Sequence, residues 1–233
     1  MGKRRYVLLT AALVGITLCG CGEKPVAMAM DSAVLPGGSG ISLEADASVS
    51  FPCVPAEELM VEAFTSYDGM FWEDGTGEEV SGVAALMVAN TGTRMIEFGA
   101  VTVEQGGRML HFFVYDLPPG TRCLVAERLR QPYSEGDARG CTAGILRWIF
   151  LEMSREEVNY VGTDERLTVV NCAARTRNIL VRYKRYDPEG AYFLGGMAFS
   201  AHFFGVEPQI PKTLTPEYYH AGQARVVSVT TEE

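Results

Sequence analysis

The stretch "YSEGDAR" at residues 133–139 is written a second time, slightly altered, as "YHAGQAR" at 219–225. Tyr133 and Tyr219, Gly136 and Gly222, and Arg139 and Arg225 hold the same places in the two copies. Each copy is preceded by "HFF", at 111–113 and at 202–204, and a third match sets Asn90 against Asn171. The three matches lie 81, 91 and 86 residues apart, so their order is kept and only loop lengths differ. Such in-register echoes predict a duplicated β unit of about eighty residues, far longer than a propeller or solenoid repeat. In each copy the Gly is expected to take a positive φ. The Tyr hydroxyl is expected to bond back to nearby backbone as in a tyrosine corner, and the Arg stem to cover apolar surface. These six residues therefore read as structural rather than as paired ligand sites.

Working outward from the echoes, apolar residues alternate at period two beyond Val83, with turn residues between the runs, as in half-buried strands. "VAALMVAN" runs to an "NTGT" turn, and the next strand slips its apolar phase at Gly99, which predicts a bulge. "EQGG", "DLPPG" and "DPEG" mark further turns. The second half repeats the order as "RLTVVN", "NILVRYKRY", "AYFLGGMAFSAHFF" and "YHAGQARVVSVT". A unit of five to seven short strands is the size of a small sandwich. The expected architecture is mainly β: two tandem Ig-like antiparallel β-sandwiches, at 51–160 and 161–233. The window "VPAEELMVEAF" fits a short helix or an entering strand. Residues 143–153 fit a last strand or a buried helix, with Trp148 expected at the seam between domains.

The chain has 233 residues, 47% hydrophobic and 21% charged, enough for a real core. Its formal charge of -9 is poorly suited to nucleic acid, because a basic patch that would release counterions is lacking. The amino terminus departs from this balance. Lys3, Arg4 and Arg5 precede an apolar run, Tyr6 to Leu18, too short to span a bilayer comfortably, and "LCGC" closes it before Gly22. Residues 1–20 thus read as a signal peptide. Residues 21–50, rich in small residues and interrupted by Pro25, Pro36 and "GGSG", read as a flexible tether spanning roughly 30 Å; a short strand at 41–43 competes with this. The tetrad Leu18-Cys19-Gly20-Cys21 resembles the lipobox of bacterial lipoproteins, which implies diacylation of Cys21 and placement on the extracytoplasmic face of the cell membrane. Cys19 departs from that pattern, and an ordinary secreted protein cut near Gly22 is the competing reading. Each buried methylene contributes about 0.8 kcal/mol, so two acyl chains hold where one anchors only marginally.

Chemistry-bearing motifs are sparse. The loop "YDGMFWEDGTGEEV" carries Asp68, Glu73, Asp74, Glu78 and Glu79, but their spacing matches no calcium-loop template, and a solvated acidic loop is expected. His111, His202 and His220 have no zinc-motif spacing, so neither metal nor cofactor is expected. After processing, Cys53, Cys123, Cys141 and Cys172 allow three pairings. Cys123 with Cys141 closes the short loop, and free buried thiols are the other expectation.

The pattern "LTVVN…ILVRYKRYDPEGAYFLGGMAF…YYHAGQARVVSV" resembles the small Ig-like extracytoplasmic domains of membrane-anchored lipoproteins in Gram-positive bacteria, many of unknown function. The resemblance covers residues 160–230 well and the first unit loosely, and implies a fold and a compartment only. The function expected is a non-enzymatic binding or scaffolding module at the cell surface. It would be held to the membrane by its lipid and would contact an envelope protein or a glycan. The alternative is an envelope hydrolase or carbohydrate-binding accessory protein using the 67–79 loop, with Tyr67, Phe71, Trp72, Glu73 and Asp74 as ligand contacts. That alternative requires the Phe71 and Trp72 rings to be exposed.

Overall fold

The computed structural model describes residues 48–136, 138–149 and 157–232. The signal segment, Cys21 and the tether up to residue 47 lie outside the described residues. The described residues belong to one compact, all-β unit. Its strands are β1 (Cys53–Ala56), β2 (Leu59–Phe71), β3 (Glu78–Asn90), β4 (Met95–Gln105), β5 (Arg108–Leu117), β6 (Arg122–Ala126) and β7 (Ala138–Ile149) in the first half. The second half supplies β8 (Val158–Thr163), β9 (Arg166–Asn171), β10 (Arg177–Asp187), β11 (Tyr192–Val206), β12 (Lys212–Leu214) and β13 (Ala224–Glu232). Of the windows left open between helix and strand, the first is β1 with β2 and residues 143–149 belong to β7, while 150–153 lie outside the described residues.

The order of strand pairing repeats between the two halves. In the first half β2-β3-β6 form one sheet and β5-β4-β7 the other; in the second half β8-β9-β12 and β11-β10-β13 pair in the same order. β1 is the one addition. Register shifts in the β4–β7 pairing flank Gly99, where the apolar phase slips.

The matched asparagines explain why the echo exists. Asn90 is buried and donates through Nδ2 to the carbonyls of Arg94 (2.8 Å) and Leu117 (2.9 Å), while its Oδ1 accepts from Gly92 N (3.0 Å). Asn171 does the same with Arg175 O (2.7 Å), Val206 O (2.9 Å) and Ala173 N (3.0 Å). Each ties a turn to the end of the strand opposite, using three of an amide's four bonding sites. Asn90→Ala and Asn171→Ala are each expected to cost about 2 kcal/mol, because buried carbonyls lose their donor. Asp in place of Asn, which keeps the acceptor and loses the donor, should not rescue either site. Denaturant unfolding checks this, and a loss below about 0.5 kcal/mol would remove the asparagines from the account.

Gly136 and Gly222 have φ of 99° and 88°, as the echo predicts. The tyrosine corner does not form as expected: among the described residues the Tyr219 hydroxyl finds no hydrogen-bond partner. Its buried ring instead meets the edge of Tyr183 at 5.3 Å, and Tyr133 meets Phe64 at 5.0 Å in the same manner. The guanidinium of Arg225 lies 3.5 Å over the Tyr186 ring.

The two halves are not separated by a linker. β6 and β11 pair in parallel, Cys123 with Phe193 and Leu124 with Leu194, which merges β1-β2-β3-β6 with β11-β10-β13 into one seven-stranded sheet. The first strand of the second half, β8, starts at Val158. Alternation along β10 shows how the layers lie. Val181 and Tyr183 join the core under β12-β9-β8, whereas Tyr186 joins the core under β5-β4-β7 and Lys184 reaches a carbonyl of β5. The two three-stranded sheets therefore cover opposite faces of the long one. Trp148 lies within the first sandwich, paired with Ile96 and capped by Arg94 at 5.0 Å, and not at the seam. Cys141 packs beside Cys53 rather than beside Cys123.

Candidate functional site

Where β6 meets β11, the seam holds a cluster of buried charge. Glu73, just past β2, accepts from Ala126 N of β6 (2.8 Å) and from Gly196 N of β11 (2.7 Å), one oxygen to each strand. Lys184 is wholly buried and its ammonium donates to Tyr115 O of β5 and Gly196 O of β11, both at 2.7 Å. Asp116, also buried, accepts from Arg182 at 3.1 and 3.3 Å. The Cys123 thiol donates to Gly195 O at 3.0 Å. Five strand segments are thus tied through side chains whose polar atoms are paired within the protein, the arrangement that makes buried charge tolerable.

Burial dominates the titration of these groups. It pushes Glu73 up to about 7 against the opposing pull of its two N–H donors and Lys184. It raises Asp116 against Arg182 and Lys184, lowers Lys184, and pushes the Cys123 thiol up to about 12. The folded chain therefore holds a proton on Glu73 that an exposed glutamate releases from 4.5 upward. Stability is expected to fall as pH rises from about 4.5 to about 7, by on the order of 2 kcal/mol, and then to level off. Asp116 adds to the fall, whereas lowered Lys184 makes stability rise with pH on the alkaline side. Urea unfolding across this range checks the slope; Glu73→Gln should remove its Glu73 part, and a wild-type profile flat from pH 4.5 to 7 would contradict the assignment.

The acidic loop keeps Asp68, Asp74, Glu78 and Glu79 exposed, as a solvated loop would, but its rings and Glu73 are pulled into this seam. Phe71 and Trp72 are buried, 1% and 8% exposed. Trp72 meets the edges of Tyr218 (5.7 Å) and Phe199 (6.5 Å) and is covered by Arg185 at 4.9 Å. Phe71 is covered by Arg130 at 4.5 Å, which also pairs with Asp74 and Glu78, both at 2.7 Å. Tyr67 donates its hydroxyl to Met70 O (2.8 Å). Glu73 faces inward, and of the five expected contacts only Asp74 lies exposed. The five residues form no stacking platform, and the sugar-binding loop is overturned by the burial of its rings. Among the described residues no group of three His, Cys, Asp or Glu side chains is placed to hold a metal ion.

A different set of residues faces out. On the solvent side of β5-β4-β7, Arg147, Phe98 and Tyr115 stand directly opposite one another across the three strands. Phe98 lies 4.9 Å from Tyr115 and 5.7 Å from Phe113, while Arg147 sits 5.4 Å over Phe98 and Arg128 4.9 Å over Phe113. Beside this row runs a cleft of about 470 Å³ with Glu97, Asp116 and Arg182 in its walls, and a cavity of about 150 Å³ lies next to Glu73. Tyr115 and Met197 line both. Aromatic rings interleaved with guanidinium groups supply rigid apolar area with directional donors, the chemistry that concentrates energy in protein interfaces. The sequence signal was "FFVY" at 112–115, apolar on both faces of a strand where one face would suffice. A larger polar groove, of about 760 Å³, lies by His220, Glu165 and Arg166 at the tip of the second unit.

No family model, curated protein or solved structure matches this chain.

Proposed function

We propose that the protein is a membrane-tethered extracytoplasmic lipoprotein and that its folded part is a non-enzymatic binding or scaffolding module built on two Ig-like sandwiches. The observation that carries the reading is the outward row Arg147–Phe98–Tyr115, flanked by Arg128 and a cleft, on an otherwise acidic molecule. Its occupant is an envelope protein presenting acidic and apolar side chains, since outward aromatic rings beside Arg128 and Arg147, the latter also 3.7 Å from Glu97, select that combination. The seam beneath serves rigidity, because its charged groups are already bonded to backbone of the strands they join.

Placement at the membrane rests on the "LCGC" tetrad. Cys21→Ala is expected to abolish incorporation of a labelled fatty acid and to release the protein or leave it as precursor; equal labelling of both forms would rule Cys21 out. For the binding face, a photo-reactive amino acid at Tyr115 should give a discrete crosslinked species in intact cells, absent when Arg128 and Arg147 are both changed to Glu. The same probe at exposed Val161, in the other three-stranded sheet, should give none. Equal crosslinking at both positions would overturn the binding face.

A further inference from the structure

We propose that Cys53 and Cys141 form a disulfide that closes the open edge of the first sandwich once the chain is outside the cytoplasm; its formation in the cell rests on the extracytoplasmic placement above. Cys53 opens β1, the edge strand of the seven-stranded sheet, and Cys141 lies in β7, the edge strand of the sheet that faces it. Just before β1, Val49 N donates to Ala138 O at 2.7 Å. From that bond the two segments run side by side in the same direction, so Cys53 and Cys141 arrive at the same level. Both are half-buried against the same apolar cluster, and with β1 packed against β7 the two side chains are neighbours. A disulfide asks for Cα atoms about 4.4–6.8 Å apart, and β1 and β7 are direct neighbours here.

The other two cysteines are placed differently. Cys123 is fully buried, flanked on its sheet by Val88 and Phe193, and bonded to Gly195 O. Cys172 belongs to the second unit, where Asn159 Nδ2 donates to its sulfur at 3.3 Å. Among the described residues, then, one pair is poised.

The chemistry is exchange with a disulfide oxidant. One protein thiol loses its proton and attacks the oxidant's sulfur–sulfur bond, giving a mixed disulfide and one released thiol. The second protein thiolate displaces the remaining half, so two electrons and two protons pass to the oxidant as two thiols. Burial and the neighbouring Cys53 push Cys141 up to about 12, so at neutral pH this exchange is slow until the β1 edge opens.

The test uses full-length protein purified in detergent under reduction, then incubated with oxidised glutathione. Peptide mapping should find a Cys53–Cys141 link, with Cys123 and Cys172 still alkylatable after denaturation. Because the link spans a long stretch of chain, reduction should lower Tm by roughly 10 °C in wild type and leave a Cys53→Ala/Cys141→Ala double variant unmoved. A link involving Cys123 or Cys172, or no link after oxidation, would overturn the pairing. Protein taken from cells with all thiols blocked during lysis separates the two premises. A pair that forms in vitro yet is reduced in cells would leave the geometry standing and overturn the extracytoplasmic placement.

Discussion

Gly196→Ala is expected to destabilise the protein by about 4 kcal/mol, near the upper end of what one added methyl group does. A β-carbon at this position would fall inside the van der Waals shell of the Phe113 carbonyl oxygen and 2.9 Å from Glu73 Oε2. The obstacle is backbone, so no rotamer change relieves it. Gly196 also gives its N–H to Glu73 and its carbonyl to Lys184, and displacement of β11 would stretch both bonds. Gly195 is under a related constraint, with φ of 76° and Trp72 Cβ at 2.5 Å from the position of an added methyl. Thermal and urea unfolding should show the loss. Gly205, with open space around it, is the control for methyl addition as such, though its φ of 58° carries its own smaller strain. A Gly196→Ala variant as stable as wild type would mean that β5 does not cross β11 as described.

Lys184→Ala should cost a further class of energy, about 3 to 5 kcal/mol, because the buried partner of a charge network is removed. Two carbonyls would lose their donor, a space the length of the lysine stem would open, and Glu73 and Asp116 would keep their burial without the cation that offsets it. The effect should grow with pH as Glu73 ionises. At pH 5 the variant should be closer to wild type than at pH 8, and Lys184→Met, which refills the space without the charge, should recover part of the loss at pH 5. Equal losses at the two pH values would show that Lys184 and Glu73 do not sense one another.

What was legible in the chain was what repeats locally. Period-two alternation and turn residues located the strands, and Asn90 with Asn171 stood out because each performs the same three-bond task. The Tyr-Gly-Arg echo was read correctly for its glycine and wrongly for its hydroxyl, since ring packing and hydroxyl bonding leave the same letter in the sequence. The merger of β6 with β11 left no trace, because two residues on each strand make it and nothing about "CL" or "FL" announces a partner some seventy positions away. Everything at the seam was hidden with it. An acidic, aromatic, glycine-rich loop looks solvated until a second sheet is brought over Phe71, Trp72 and Glu73. Lys184 in "VRYKRY" looks like an exposed strand cation until β5 is placed above it. The outward Phe98, Phe113 and Tyr115 were hidden differently: alternation reports which residues share a face, and a strand apolar on both faces does not say which of them is bare.

The placement of β1 sets how the molecule bears force. A pull on the chain ahead of the folded part meets the Val49–Ala138 bond and then an edge strand of four residues, paired in its sheet only to β2 and with an irregular register. Such a strand peels one hydrogen bond at a time, so the first element to yield would be the amino-terminal one, with the remaining layers still intact. A covalent tie from Cys53 to β7 would pass the load to a twelve-residue strand paired along its length with β4 in the opposite sheet. The sandwich would then change from a structure that unravels from its amino-terminal end into one that holds until it fails as a whole.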